Sequence, residues 1–546
     1  MFYILIYIIN IFLRQLTEKD NRQQTHSEMS TFAQMFEEKE EKDDGVTRTE
    51  NGAVSHGSTG EGVPGILRKS GLLLLTPLLD LFFWLARGFD TASRAADILK
   101  AFQVDPKRFA KLCFQTRDIR GGKGERTLGR QMLVWLSNRL PQVFADKLVS
   151  LVPEYGRWDD LIFIAYETKS PLVKSACLKA CADQLRKDKA SMEKGGPTTL
   201  CAKWMPNESS AKDEKYGVYG DLCKVMDLSH RNLRKLLVSL RSYAGVIEQK
   251  MCAKAWSEID YTKVPSQAMR LLKKAFARND PERFQAFQDA LQKGDPSVKV
   301  NAATLMPHEL VKQYMSAYSG FNGKTTDPVT QAQWDALLKQ YSEMGTLDGT
   351  LVVSDVSGSM TCCDGLPMQV SIALGIFVSQ MQKGPWRGQV ITFESNPHFH
   401  LVKDGPLHEQ VRSLSGASWG GSTNIQKTFQ LILGKAQEYH LPDSEMPKQV
   451  IIISDMQFDC ADRDCTNLDA IREQYLRAGY PLPRLVFWNV AGRIQDVPAR
   501  AVDDNIALVS GFSPSILKAV MDAKDLSLLG VLLSILDSVR YAAVDW

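Results

Sequence analysis

The apolar pattern of the chain changes near residue 346, and this change limits the available folds more than any other feature. After it, apolar runs of four to six residues alternate with stretches in which apolar residues recur every three or four positions. Strands that alternate with helices predict a parallel sheet, doubly wound, in an α/β domain over residues 346–546. The expected strands are 349–354, 389–393, 449–454, 484–488 and 506–509, and the expected helices are 368–381, 425–436, 468–477 and 526–541.

Residues 66–345 show helical spacing almost throughout, and strand-like runs are rare. We predict an all-α helical domain here, repeat-like or an irregular bundle, although no internal repeat is visible. The most hydrophobic stretch, 72–86, contains Pro77 and Asp80. At about fifteen residues it is short for a membrane span, so we expect a buried helix of a soluble core.

Residues 1–65 carry no pattern of a folded unit. Residues 1–13 are nearly all apolar, but they are too short to span a membrane and lack the flanks of a secretory signal. We interpret them as a dispensable leader, with a signal or anchor as the alternative. Residues 14–64 are polar and rich in glycine and serine, which predicts disorder.

Charge and cysteine content exclude two classes of protein. The 546 residues include 66 Lys and Arg and 63 Asp and Glu, so the net charge is +3. The chain is therefore no bulk polycation, and any nucleic-acid binding has to use a local patch. Ten cysteines without a C-x-x-C pair exclude a disulfide scaffold and argue against structural zinc. We expect free thiols and a cytoplasmic protein.

Polar side chains cluster where the expected strands end. Asp355, Ser357 and Ser359 follow the first strand, and Asp455 follows the third. Thr423 belongs to a glycine turn that opens a helix. In a doubly wound sheet, ligands bind outside the carboxyl ends of the strands. Carboxylates and hydroxyls are oxygen ligands, so this edge suits a hard cation, Mg²⁺ or Mn²⁺.

The spacing of Asp355, Ser357 and Ser359 resembles the first motif of a von Willebrand factor A domain, and Thr423 and Asp455 resemble its second and third. The resemblance implies a metal-ion-dependent adhesion site. The three hydroxyls would ligate the metal directly, and the two carboxylates would act largely through bound waters. One coordination position would stay open for a carboxylate of a partner. The alternative is an A-type fold that keeps these residues without binding metal.

A basic, glycine-rich segment, 117–126, stands out in the helical region. The positive side chains at and just after it are Arg117, Arg120, Lys123, Arg126 and Arg130. Glycines let a backbone approach a phosphate, and a helix N-terminus follows, so one interpretation is a solvent-facing surface that contacts RNA. The other is an inter-helix turn whose arginines pair with acidic side chains or helix C-termini.

The order of the two regions resembles two families. Segments 117–126, 155–161, 202–206 and 306–310 are similar to an uncharacterised family of eukaryotic and giant-virus proteins that pairs a helical region with a C-terminal A-like domain. That resemblance covers 46–546. More distantly, the architecture resembles the Ro (TROVE) ribonucleoproteins, which bind small and misfolded RNAs through a ring of helical repeats. No RNA-contact residue carries over from the Ro family to this chain.

Three functions follow from these patterns. The first is a non-enzymatic scaffold that binds a structured or small RNA through the helical domain, beside a Mg²⁺-dependent A-type domain. The second is a cation-dependent protein–protein interaction module without RNA binding. The third is a Mg²⁺-dependent phosphoryl-transfer enzyme, for which no nucleophile–base pair or second metal is evident. We expect a non-enzymatic binding protein without a membrane span.

Overall fold

The computed structural model describes eleven stretches of the chain. They are residues 46–60, 73–316, 321–343, 347, 349–393, 396–417, 423–459, 466–493, 496–501, 503–516 and 527–546. Apart from Val46, they all belong to one compact unit, Thr47–Trp546. The apolar leader at 1–13 and most of the polar segment after it lie outside the described residues.

Residues 46–60 are folded, which corrects the prediction of disorder for this part of the polar segment. They contain two short paired strands, β1 (Val46–Arg48) and β2 (Val54–His56). Distant residues hold them in place: the Thr49 hydroxyl donates to the carbonyl of Phe458 at 2.6 Å, and the carbonyl of His56 accepts from the amide of Val497 at 2.8 Å. We call residues 47–60 the strap. Contacts across about 400 positions leave no local signal in the sequence, which is why the strap was not predicted.

Helices joined by loops make up the described residues between 73 and 343, as the apolar spacing predicts. The longer helices are α1 (Thr76–Trp84), α2 (Ala95–Val104), α3 (Pro106–Arg117), α4 (Arg126–Arg139), α5 (Trp158–Glu167), α6 (Pro171–Glu193), α7 (Val218–Met226), α8 (His230–Tyr243), α9 (Ser266–Asn279), α10 (Pro281–Gln292) and α11 (Pro328–Ser342). The shorter ones are Pro141–Val143, Val152–Tyr155, Cys201–Trp204, Ala211–Tyr216, Ile247–Cys252 and Pro307–Val311. The mostly helical character of this region is confirmed.

Helix α1 confirms the buried helix predicted within 72–86. All of its residues from 78 to 84 are buried. Pro77 lies in the first turn, where a helix has no partner for the missing N–H. Asp80, the one charged residue of this helix, accepts hydrogen bonds from Ser58 and Thr59 of the strap.

A six-stranded mixed sheet forms the centre of the C-terminal region. Its strands are β3 (Thr350–Ser354), β4 (Gln389–Thr392), β5 (Phe399–Leu401), β6 (Gln449–Ser454), β7 (Arg484–Asn489) and β8 (Ile506–Ser510). They lie in the order β5-β4-β3-β6-β7-β8. Only the β4–β5 pair is antiparallel among these strands. The strand order therefore reverses between the neighbours β3 and β6.

The strands follow from their apolar runs. Every residue of β3, β7 and β8 is buried, as expected for parallel strands that are covered on both faces. Strand β5 and the helix Leu407–Ser415 were not predicted. The strand is only three residues long and half exposed at the edge of the sheet, so its apolar signal is weak.

Five longer helices belong to the described part of the C-terminal region. They are α12 (Cys362–Met381), α13 (Leu407–Ser415), α14 (Ile425–Glu438), α15 (Asn467–Ala478) and α16 (Leu528–Leu536). The stretch Gly358–Met381 is long and apolar enough to cross a membrane, but 72% of its most apolar window is buried inside the protein. Burial of this kind is typical of a core helix, and α12 packs along β3.

The helical region and the sheet share one hydrophobic core. Helix α1 packs against β8 and α16. The Ser510 hydroxyl at the end of β8 donates to the carbonyl of Phe82 at 2.8 Å, and the Asn489 side chain donates to the carbonyl of Phe83 at 3.2 Å. The first long helix of the described chain thus contributes to the packing of the last strand.

Candidate functional site

The candidate site lies where β3 and β6 end side by side. Asp355 directly follows β3 and Asp455 directly follows β6, and the register pairs Ser354 with Ile453. Here the strand order reverses, so the connections leave to opposite sides and open a crevice at the carboxyl ends of the strands. The sequence predicted both carboxylates for this edge, and the structure brings them together.

Asp355 is fully buried. One carboxylate oxygen accepts from the amide of Ser357 at 2.9 Å, and the other accepts from the Ser454 hydroxyl at 2.5 Å. Burial raises the pKa of Asp355 to about 7, and the negative charge of Asp455 adds to the rise. The hydrogen bonds oppose it without cancelling it. The ionised form of a carboxylate in this environment is destabilised, and a nearby cation would stabilise it.

Asp455 is nearly as buried, at 3% exposure. It accepts a hydrogen bond from the amide of Gln457 at 3.3 Å. Burial raises the pKa of Asp455, and the charge of Glu50 in the strap contributes to the rise. Within the described part of the chain, no lysine or arginine forms an ion pair with either aspartate. Among the described residues, the two negative charges therefore have no ion-pair partner.

The two serines of the first motif lie on the turn after β3. Their hydroxyl oxygens are 3.1 Å apart, because the chain makes a single 3₁₀ turn over Gly358–Thr361. Ser357 is buried and Ser359 is exposed. The hydroxyls and the two carboxylates form a set of oxygen donors at one strand edge, and such a set fits Mg²⁺ or Mn²⁺ rather than a softer metal.

Thr423 has partners of its own. Its hydroxyl donates to the carbonyl of Gln457 at 2.6 Å, its amide donates to Asp459 at 2.7 Å, and its oxygen accepts from the Asn51 side chain at 3.1 Å. No hydrogen bond joins Thr423 to either aspartate of the site among the described residues. The rest of its glycine turn, 420–422, lies outside the described residues. Thr423 reaches the site through Gln457, which bonds to Asp455.

The loop after the first motif departs from a regular helix start. Cys363, Asp364 and Gly365 all have left-handed backbone conformations, with φ of 53°, 59° and 70°. The Arg493 side chain donates to the sulfur of Cys363 at 3.1 Å. Cys362 and Cys363 are free thiols, as the sequence predicts, and burial raises the pKa of Cys362 to about 11.

Sequence reasoning missed several residues of this site. They are Glu50, Asn51, Gln457 and Asp459. Gln457 and Asp459 follow β6 just after the motif aspartate, so their position after a predicted strand was a usable signal. The first two approach from the strap, more than 370 positions away along the chain, and nothing in the local pattern indicates that.

The basic segment 117–126 forms a structural turn. Arg117 is 2% exposed and pairs with Asp160 at 2.8 Å, and Arg130 pairs with Asp159 at 2.7 Å and also with Asp160. Lys123 is 1% exposed, and its ammonium group donates to main-chain carbonyls at the end of α1. The expectation that the five positive side chains share a solvent-facing surface is therefore wrong.

The other two positive side chains, Arg120 and Arg126, are exposed, but each has a partner within the protein. Arg120 donates to the carbonyl of Glu154 at 2.8 Å, and Arg126 pairs with Asp159 at 2.9 Å. Glycine allows close packing of the backbone in this segment: a Cβ on Gly122 would lie only 2.0 Å from the carbonyl oxygen of Gln115. RNA binding stays a prediction, but the five positive side chains do not form the solvent-facing surface on which that prediction was based.

Comparisons with known proteins agree with this division into two regions. Residues 349–529 match a domain of unknown function (DUF7788). Residues 74–170 and 222–347 match another domain of unknown function (DUF2828). An uncharacterized protein of Acanthamoeba polyphaga mimivirus is 33% identical over 494 residues, which cover 84% of this chain and 84% of the viral protein. With this identity over most of both sequences, the chain belongs to the same family as the mimivirus protein.

Proposed function

We propose that this protein is a non-enzymatic binding protein whose C-terminal region is a von Willebrand factor A-like domain with a divalent-cation site. Through the cation it binds a protein partner that offers a carboxylate. The observation that carries the proposal is the pair of buried aspartates, Asp355 and Asp455, at adjacent strand ends, with no ion-pair partner in the described part of the chain. Such a pair is costly to keep unless a cation neutralises it.

The ligand set follows from the donors at the strand edge. Ser357, Ser359 and Thr423 supply hydroxyl oxygens, and Asp355 and Asp455 supply the charge. Bound Mg²⁺ or Mn²⁺ would offer one further position to an external carboxylate. Ser454 and Gln457 hold the two aspartates in place through hydrogen bonds, which is the role that outer residues have at metal sites.

One further observation supports binding rather than catalysis, and another supports a reducing compartment. In the described part of the site, no histidine or lysine lies within hydrogen-bond distance of a serine or threonine hydroxyl, so a nucleophile–base pair is not formed there. Cysteines such as Cys113, Cys177 and Cys201 are buried free thiols, which favours the cytoplasm.

Cation binding to the full chain tests the proposal. Free Mn²⁺ can be measured by electron paramagnetic resonance during titration of wild type and of Asp355→Asn, which keeps the shape of the side chain. We expect the substitution to weaken Mn²⁺ binding at least tenfold, about 1.4 kcal/mol. Asp404→Asn removes an exposed carboxylate elsewhere and should change nothing. Equal Mn²⁺ affinity in wild type and Asp355→Asn would contradict the proposal.

A further inference from the structure

The strap reaches the proposed cation site through four consecutive residues, 49–52. The amide of Glu50 donates to the side-chain oxygen of Gln457. The Asn51 side chain donates both to the Thr423 hydroxyl at 3.1 Å and to the carbonyl of Gln457 at 2.9 Å. The strap therefore contacts one proposed metal ligand directly and contacts the residue that bonds to Asp455.

Glu50 is held next to the site by its backbone. Its backbone is fixed by the bond to Gln457, while the residue itself is exposed. It precedes Asn51, whose side chain donates to the Thr423 hydroxyl at 3.1 Å, so Glu50 lies between contacts to Gln457 and to Thr423. Among the described residues no lysine or arginine pairs with Glu50. The strap thus brings a third carboxylate next to the residue that bonds to Asp455, and this carboxylate has no ion-pair partner among the described residues.

Gln457 gives an independent sign of carboxylate recognition. The residue is 1% exposed, and its side-chain oxygen is occupied by the amide of Glu50. Its side-chain nitrogen is buried without a hydrogen-bond partner among the described residues. A buried N–H of this kind costs free energy unless an acceptor pairs with it, and a carboxylate oxygen is such an acceptor.

We propose that the strap carries an internal acidic ligand: the carboxylate of Glu50 takes the position on the bound cation that a partner's carboxylate needs. Asn51 keeps the strap in place by its two hydrogen bonds. The protein is then self-inhibited, and a partner binds by displacing residues 49–52. The inference rests on the proposed function, because it assumes the cation site at Asp355 and Asp455.

The far end of the strap is anchored separately, so displacement can stay local. Thr59 donates to Asp80 from both its amide and its hydroxyl, at 2.8 and 2.6 Å, and the carbonyl of Thr59 accepts from Ala501. The contacts at 58–60 lie outside the cation site, so residues 49–52 can leave it while the strap stays attached.

The test uses the full chain and a fluorescein-labelled hexaglutamate peptide as the acidic probe, with hexaglutamine as the neutral control. Peptide binding is measured by fluorescence anisotropy in Mg²⁺ and in EDTA, for wild type, Glu50→Gln and Glu214→Gln. Glu214 is an exposed glutamate of the helical region. We expect Glu50→Gln to bind hexaglutamate at least tenfold more tightly in Mg²⁺, with no gain in EDTA and none for Glu214→Gln.

Mn²⁺ affinity separates failure of this inference from failure of the proposed function. We expect Glu50→Gln to bind Mn²⁺ about threefold to tenfold more weakly, because one carboxylate is lost from the cation. A peptide affinity that stays the same or falls in Glu50→Gln overturns the strap proposal. If Asp355→Asn still abolishes Mn²⁺ binding in that case, the cation site stands alone. If Asp355→Asn binds Mn²⁺ like wild type, both proposals fall.

Discussion

Asp80 shows how a single buried carboxylate joins two distant parts of this chain. It lies on the buried face of α1, and its hydrogen-bond donors among the described residues come from the strap: the Ser58 hydroxyl at 2.6 Å and the amide and hydroxyl of Thr59. Burial raises the pKa of Asp80 to about 6 from 3.8, and these bonds oppose the rise. The ionised group is therefore less stable in the folded chain than in water.

This shift predicts a pH dependence of stability. The unfolded chain ionises Asp80 near pH 4, whereas the folded chain ionises it near pH 6. The contribution of Asp80 to the free energy of unfolding should therefore fall by about 3 kcal/mol as pH rises through this window, and stay lower above it. Asp80→Asn should lack this fall, as measured by urea unfolding between pH 4 and 7. An unchanged pH profile in the variant would refute the assignment.

Helices and strands with strong apolar patterns could be predicted from the sequence, and weakly patterned elements could not. The buried helix α1, the core helix α12 and the central strands all carry apolar patterns that indicate their secondary structure from the local sequence. The motif residues Asp355 and Asp455 were predictable because each directly follows such a strand. The strap and β5 were not predictable, since their order depends on long-range contacts or on a sheet edge. The inward pairing of Arg117 also depends on acidic residues of another helix, α5.

The contacts of the turn between α3 and α4 lead to a second prediction, which concerns stability. Lys123 closes the end of α1 by donating to the carbonyls of Phe82 and Leu85 and to the Ser510 hydroxyl. Lys123→Met keeps the aliphatic stem but leaves these buried acceptors short of donors, so the free energy of unfolding should fall by about 2 to 4 kcal/mol.

Arg120→Met is the matched control in the same turn, because Arg120 is exposed. It should cost less than about 1 kcal/mol in the same chemical denaturation. A loss for Lys123→Met no larger than for Arg120→Met would show that the turn does not depend on the buried ammonium group.

The helical region and the sheet region pack against each other more closely than two independent domains in sequence would. The predicted boundary at residue 345 separates α1 and the strap from the sheet they pack against. We therefore expect a fragment of residues 346–546 to lack a cooperative thermal transition, while a chain of residues 47–546 shows one. Scanning calorimetry measures both. A sharp transition in the shorter fragment would show that the sheet folds without these N-terminal elements.

The packing of α1 against β8 has a consequence for synthesis. The two elements are joined by the bond between Ser510 and Phe82, 428 positions apart. At translation rates of about 5 to 20 residues per second, the apolar face of this helix waits about 20 to 90 s for its partner strand to leave the ribosome. During that interval it is an exposed hydrophobic segment on a nascent chain, the kind that chaperones bind, and the native core closes only after the last strand of the sheet has been made.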